Sequence, residues 1–139
     1  MLKVVICCGG GMSSSFLTQR MQNEIRARGL DNEVSFDFFP FGVGFEEAKK
    51  FLEQYDVAMC CPHLKIEIDR FCQQETIDCA IYMFPPKMYG TLIFDEVYQD
   101  AKDVYEGFQK TRVNPFHFPG EDSPMRIKRA VAYRNQSSK

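Results

Sequence analysis

The chain has 139 residues, of which 45% are hydrophobic and 26% charged, and its formal net charge is −2. This length suits one domain with a real hydrophobic core, and the composition excludes a disordered chain. Because no stretch approaches the roughly 20 apolar residues of a membrane helix and no secretory signal precedes the six cysteines, we expect a cytoplasmic protein with thiols rather than disulfides.

The first part of the chain alternates predicted strands and helices. Residues 2–7 form a continuous, β-branched apolar run that is typical of a short buried strand. Residues 13–29 carry an apolar residue at every fourth position and end on a glycine, which predicts a helix with a glycine cap. Residues 33–39 alternate and predict a second strand, with one side formed by Val34, Phe36 and Phe38.

The same alternation continues to residue 108. Helical spacing over 45–55 is followed by a third predicted strand over 56–61. Residues 63–74 fit a helix better than a strand, residues 78–84 predict a fourth strand, and residues 94–108 predict a long helix. This order favours an α/β fold with a four-stranded parallel sheet in three layers, with helices on both faces.

The loop after the first strand carries the most informative residues. A strand runs into Cys7 and Cys8, and glycines and serines follow before the helix. A helix N-terminus offers unpaired N–H groups and partial positive charge, and glycines let the backbone close around an anion. The same donors stabilise a thiolate, so the segment predicts a phosphate cradle with a nucleophilic cysteine, formed by Cys8, Gly9, Gly10, Gly11, Met12, Ser13, Ser14 and Ser15.

Two classes of enzyme place a cysteine in a similar loop between a strand and a helix. Low-molecular-weight tyrosine phosphatases and arsenate reductases carry Cys-x5-Arg, but the sixth residue after Cys8 is Ser14 and that after Cys7 is Ser13. Without a guanidinium the transferring phosphoryl group lacks its bidentate partner. We therefore expect retention and delivery of a phosphoryl group rather than rapid hydrolysis.

The segment from Cys8 to Ser15 resembles the Cys-x-x-Gly-Met-Ser-[Ser/Thr]-Ser loop of the lactose/cellobiose-type IIB components of the bacterial phosphotransferase system. The resemblance covers about residues 1–110, with a proline closing the third strand and a Tyr-Gly pair after the fourth. It implies a sheet of order 2-1-3-4, as in the low-molecular-weight phosphatase-like fold. It also implies a phosphocarrier domain over 1–110, followed by a C-terminal tail over 111–139 that is partly ordered at most.

The resemblance also implies roles and partners. Cys8 would accept a phosphoryl group from a phosphohistidine of a IIA protein and pass it to a sugar held by the IIC membrane transporter. This is a protein-N(π)-phosphohistidine–sugar phosphotransferase activity, located in the cytoplasm and peripheral to the membrane through IIC. Pro62, His63 and Tyr89 would line the rim. No cofactor, nucleic acid or membrane insertion is expected.

Other candidate chemistry is weaker. The candidate metal ligands are Cys60, Cys61, His63, Cys72 and Cys79, of which Cys60 and His63 have ligand-like spacing. Because Cys60 and Cys79 lie in predicted buried strands, where free cysteine is common, we expect no metal site. A cationic His63 facing the phosphocysteine would favour the phosphorylated state, although an ordinary histidine at a helix start is the simpler interpretation. Cys7 is interpreted as a silent strand residue, because adjacent cysteines pair poorly.

The C-terminal tail is locally basic. From Glu121 onward there are two acids and five bases, which is typical of a solvated terminus but also suits an acidic partner. Packing of the tail against the domain and contact with a partner both remain open. Two alternative functions also remain: a phosphatase or arsenate-reductase-like enzyme, and a regulatory module whose phosphorylation state a partner reads.

Overall fold

The computed structural model describes residues 1–8, 12–41, 44–91, 93–121 and 127–135, and the side chains of residues 12–17 lie outside this description. The strands are β1 (Leu2–Cys8), β2 (Val34–Pro40), β3 (Val57–Cys60) and β4 (Ala80–Met83). The helices are α1 (Met12–Ala27), α2 (Phe45–Leu52), α3 (Lys65–Gln74), α4 (Pro86–Thr91) and α5 (Phe94–Thr111). Short 3₁₀ turns cover Pro62–Leu64 and Tyr133–Asn135.

The four strands form one parallel sheet of order β2-β1-β3-β4, as predicted. In the register, Cys8 of the central strand β1 stands beside Pro40 of β2, and Cys7 stands beside Cys60 of β3. The carboxyl ends of β1 and β3 therefore meet at one edge. This is the edge at which parallel α/β sheets bind their ligands.

Two hydrophobic cores sandwich the sheet. Val4 and Ile6 of β1 point into a core shared with α1 and α5, which we call the α1/α5 face. Val5 and Cys7 point into the opposite core, shared with α2 and α3, which we call the α2/α3 face. This arrangement confirms helices on both sides of the sheet, and it follows from the alternation of side chains along a strand.

Phe38 departs from the predicted alternation. We expected it beside Val34 and Phe36, which are buried in the α1/α5 core. Instead Phe38 is half-buried and packs against the α2/α3 core. The prediction was wrong for Phe38, because it assumed that the regular alternation of side chains continues to the end of the strand.

The first helix ends as its glycine predicts. Gly29 has φ of 66°, in the left-handed region that glycine adopts most readily. Its N–H donates to Arg26 O at 3.3 Å, and the N–H of Leu30 donates to Ile25 O at 2.9 Å. This pair of hydrogen bonds is a Schellman motif, so the last carbonyl groups of the helix are satisfied.

Sequence reasoning missed the short helix α4. The pattern predicts no element between the fourth strand and residue 94, but Pro86 is the first residue of α4. Proline is well suited to the first helical position because its missing N–H would have no partner there. Met88 of α4 is fully buried in the α1/α5 core.

The segment after α5 covers the exposed edge of β4. The side-chain amide of Asn114 donates to Cys79 O at 2.9 Å and accepts the N–H of Ile81 at 2.9 Å. The N–H of Phe116 donates to Ile81 O at 2.7 Å, and Phe116 forms a bridge with Tyr82. These contacts satisfy polar groups that an unprotected edge strand would expose.

Arg129, counted above among the solvated basic residues, lies in a buried polar cluster. Its guanidinium donates to both carboxylate oxygens of Glu121 at 2.7 and 2.8 Å and to Asp100 at 2.8 Å. It also donates to the hydroxyl of Tyr82 at 2.7 Å and to Val131 O at 2.8 Å. The charge of Arg129 therefore connects its own segment to β4 and α5, and the solvated interpretation does not hold for this residue. The predicted boundary at residue 110 stays a prediction.

Candidate functional site

Cys8 lies at the edge where the loops leave the sheet. It is the last residue of β1, and α1 begins four positions later at Met12. The side chain of Cys8 is 4% exposed, so the thiol is largely covered rather than projecting into solvent. Its location between β2 and β3 places it at the carboxyl end of the central strand, as predicted.

The predicted cradle is only partly within the described residues. Gly9, Gly10 and Gly11 lie outside them. Met12 and the serine run, Ser13 to Ser15, provide the first four residues of α1, and their side chains also lie outside the description. Their roles in binding phosphate therefore stay predictions.

The N-terminus of α1 lacks the acids that other helices of this chain carry. The first turn of α2 contains Glu46 and Glu47, and the first turn of α5 contains Asp95 and Glu96. The first turn of α1 contains no acidic residue. A carboxylate in the first turn offsets the positive end of a helix, and α1, sixteen residues long, carries none there.

Cys8, Cys61 and His63 form a cluster. The sulfurs of Cys8 and Cys61 and a ring nitrogen of His63 all lie within 4.8 Å of one another. The two cysteines are buried and the histidine is exposed, so the cluster reaches from the sheet edge to the surface. We name these three residues the Cys-Cys-His cluster.

The 3₁₀ turn Pro62–Leu64 positions two members of this cluster. Pro62 is the first residue of the turn and Cys61 immediately precedes it. The N–H of Cys61 donates to Cys7 O at 3.0 Å and its thiol donates to the same oxygen at 3.1 Å. These bonds extend the β1–β3 pairing by one residue, which sets Cys61 beside Cys8.

Sequence reasoning placed His63 at the rim of the phosphate site, but it considered Cys61 only among the metal ligands that it set aside. The metal-like spacing it examined joined His63 to Cys60, which is fully buried in β3 and is not part of the cluster. The signal that could have found Cys61 is its position directly after the strand that pairs with β1. The three gathered ligand atoms form a geometric candidate for a metal site, and the expectation that the chain has none stays a prediction.

The remaining cysteines are poor nucleophiles. A hydrogen bond that the Cys60 thiol donates to Cys7, together with burial, raises the pKa of Cys60 well above its ordinary value. Burial raises the pKa of Cys72 to about 12 and raises that of Cys79 further. Cys7 is itself fully buried in β1, which agrees with its interpretation as a strand residue. The six cysteines form no disulfide.

Tyr89 lies on α4, which follows β4 along the chain. Its ring packs on Phe84 with centroids 5.6 Å apart, and its N–H donates to Pro85 O at 3.0 Å. The side chain is half-buried and contacts both cores. The place of Tyr89 at the rim of the site stays a prediction.

Among the described residues, no helix combines the length and the apolar character needed to cross a bilayer.

Comparison with known proteins identifies one family. No curated protein is similar enough to the chain to count as a match. Residues 3–100 match the family described as PTS system, Lactose/Cellobiose specific IIB subunit, and this match spans more than half of the chain. The match and the sheet of order β2-β1-β3-β4 agree with the resemblance found in the Cys8 loop. The chain therefore belongs to the lactose/cellobiose-specific IIB family of the phosphotransferase system.

Proposed function

We propose that this protein is a sugar-specific IIB phosphocarrier in which Cys8 carries the phosphoryl group. The donor is a phosphohistidine of a IIA protein, and the acceptor is a sugar bound by a IIC membrane transporter. Family membership supports a phosphotransferase role in general. The observation that carries the finer proposal is the position of Cys8, at the end of the central strand and directly before the loop that opens α1.

The N-terminus of α1 supplies the electrostatic part of the proposal. Its first turn has no carboxylate to compete with a bound anion. The first N–H groups of a helix have no partner within the helix, and they point toward the loop that precedes it. We propose that they stabilise both the Cys8 thiolate and the phosphoryl oxygens, together with Gly9, Gly10, Gly11, Met12, Ser13, Ser14 and Ser15.

The reaction has two transfers. In the first, the Cys8 sulfur attacks the phosphorus of phosphohistidine, so the P–N bond breaks as the P–S bond forms. In the second, a sugar hydroxyl oxygen attacks, the P–S bond breaks, the thiolate returns and the hydroxyl proton is released. Positioning and fixed electrostatic donors supply most of the acceleration in such phosphoryl transfers.

His63 is the exposed member of the Cys-Cys-His cluster. We propose that a ring N–H of His63 donates a hydrogen bond to an oxygen of the phosphoryl group on Cys8. Pro62 supports this placement, since it opens the turn that carries His63. Tyr89 is proposed as a further rim residue.

The phosphatase and arsenate-reductase alternative lacks its arginine. Serines occupy positions 13 and 14, where those enzymes carry the guanidinium that clamps the phosphoryl group. Steady turnover of an aryl phosphate or of arsenate would support that alternative. A purely regulatory role would appear as altered transcription with sugar transport intact when the gene is deleted.

The decisive experiment is phosphoryl transfer from a IIA protein carrying labelled phosphohistidine. The wild-type chain should acquire label on Cys8, and Cys8→Ser should acquire none. Cys72→Ser is the matched control, because Cys72 is outside the cluster and its raised pKa keeps it protonated. Equal labelling of the Cys8→Ser protein would refute the assignment.

A further inference from the structure

We propose that the Cys-Cys-His cluster binds a thiophilic divalent metal ion of the zinc type, and that the bound ion blocks Cys8. The inference rests on the proposed function only where it concerns phosphorylation, since Cys8 is also the proposed nucleophile. The metal site itself rests on the geometry of Cys8, Cys61 and His63.

The donor set suits zinc. Two thiolates and one imidazole form a Cys₂His set, which protein zinc sites use with a fourth position open to water or another ligand. Thiolate ligands select soft or borderline ions such as Zn²⁺ over Mg²⁺ and Ca²⁺, which prefer oxygen. The cluster contains no carboxylate, so its chemistry excludes the hard ions.

The distances are close to those of a metal site. The three ligand atoms lie within 4.8 Å of one another. With Zn–S near 2.3 Å and Zn–N near 2.0 Å, tetrahedral ligand atoms are about 3.5–3.8 Å apart. Closing the cluster therefore needs at most about 1.3 Å between sulfur and nitrogen, which the exposed side chain of His63 can supply. The two sulfurs need to approach by at most about 1 Å, which requires a small rotation of the Cys8 or Cys61 side chain.

The backbone tolerates the change at Cys61. Metal binding replaces the thiol protons of Cys8 and Cys61, which are released to solvent. The thiol of Cys61 then no longer donates to Cys7 O. That carbonyl oxygen keeps its bond from the N–H of Cys61 at 3.0 Å, so it is not left without a partner.

The consequence is competition at one sulfur. A metal-bound Cys8 cannot attack phosphohistidine, and a phosphorylated Cys8 cannot serve as a thiolate ligand. Phosphorylation and metal binding therefore exclude each other. At free Zn²⁺ about 100 times its dissociation constant, the rate of Cys8 phosphorylation should fall about 100-fold.

The binding test uses the full chain without an affinity tag, in a phosphine reductant that keeps thiols reduced. Co²⁺ is titrated as the spectroscopic probe and Zn²⁺ is added to displace it. We expect thiolate-to-cobalt charge-transfer absorption at a stoichiometry of one, unaffected by excess Mg²⁺. Cys61→Ser and His63→Ala should each weaken binding by about 100-fold or more, beyond what loss of an outer-shell partner costs.

Two control variants separate the cluster from other ligands of the same type. Cys72→Ser and His117→Ala remove a cysteine and a histidine outside the cluster and should leave Co²⁺ affinity unchanged. Circular dichroism checks that every variant is folded. Absence of charge-transfer absorption in the wild type, or equal affinity in folded Cys61→Ser, would overturn the metal site.

The phosphorylation assay then tests the competition. Wild-type labelling from phosphorylated IIA should be suppressed by Zn²⁺, and the labelling of Cys61→Ser should lose that sensitivity relative to its own rate without metal. Metal binding without any phosphorylation would refute the proposed function and leave the metal site standing. Phosphorylation that Zn²⁺ does not suppress would refute the competition.

Discussion

Replacing Arg129 with leucine tests the buried polar cluster that attaches the C-terminal segment to the domain. The Arg129 side chain is 5% exposed, that of Asp100 is 0% exposed and that of Glu121 is 10% exposed. The guanidinium donates to both carboxylates and to the Tyr82 hydroxyl. Arg129→Leu keeps an apolar side chain in place and leaves two buried acids without their cation.

The expected loss of stability is large. Removing one partner of a buried ion pair costs about 3–5 kcal/mol, because the other charge stays buried without compensation. The free energy of unfolding of a domain is about 5–15 kcal/mol, so the variant should lose a substantial fraction of its stability. For a chain of this size the melting temperature should fall by about 10 °C or more.

The pH dependence of the loss identifies its cause. Burial raises the pKa of Asp100 above its ordinary value, and Arg129 opposes that effect. Without Arg129 the pKa of Asp100 should rise further. A carboxyl group whose pKa is higher in the folded than in the unfolded state binds its proton first in the folded state, so lowering the pH through that window favours folding. The stability deficit of Arg129→Leu should therefore shrink as the pH falls from neutral toward the ordinary pKa of a carboxyl group.

The measurement is urea unfolding of wild type and variant at several pH values. Arg134→Leu is the comparison variant, because the Arg134 side chain is 58% exposed, while that of its partner Asp103 on α5 is 14% exposed. A pair whose cation stays in solvent contributes about 0–1 kcal/mol, so this variant should lose far less stability than Arg129→Leu. A deficit below about 1 kcal/mol for Arg129→Leu, or one that does not change with pH, would refute the reasoning.

Two further predictions concern the backbone and the sheet edge. Gly29→Ala should lower the free energy of unfolding by about 1–2 kcal/mol, because φ is positive at Gly29. Gly90→Ala should raise it by up to about 1 kcal/mol, because Gly90 lies in helix α4 with open space at its Cβ. Thermal melts that rank the two variants the other way would contradict this. Asn114→Ala should lower the free energy of unfolding by about 1–3 kcal/mol, because the N–H of Ile81 and the carbonyl of Cys79 lose their side-chain partner. Hydrogen exchange at the Ile81 N–H should accelerate, and unchanged exchange there would show that the edge is protected in another way.

Local sequence pattern is enough to predict the sheet and the place of the site. The alternation over 33–39 and the fourfold spacing over 13–29 are properties of neighbouring residues, and they identify β2 and α1 to within two residues. The order of strands and helices then requires a parallel sheet, because each crossover returns the chain to the same direction. The position of Cys8 before a helix follows from the same local pattern.

Long-range packing alone established the surroundings of Cys8. Cys61 is 53 positions away from Cys8 along the chain, and only the register of β3 against β1 brings the two sulfurs together with His63. No local periodicity encodes that register. The spacing between Cys60 and His63 was therefore misleading, because the cysteines that lie near His63 are Cys8 and Cys61.

Long-range packing likewise explains the C-terminal segment. A charged residue such as Arg129 is normally exposed, and its burial depends on Asp100, Glu121 and Tyr82, which come from three different parts of the chain. Burying a guanidinium removes its hydration, and only carboxylate and hydroxyl partners that surround it in the fold compensate for that loss. Composition counts the charge but cannot show which carboxylates will surround it, and this is why Arg129 was expected in solvent and is found buried against the domain.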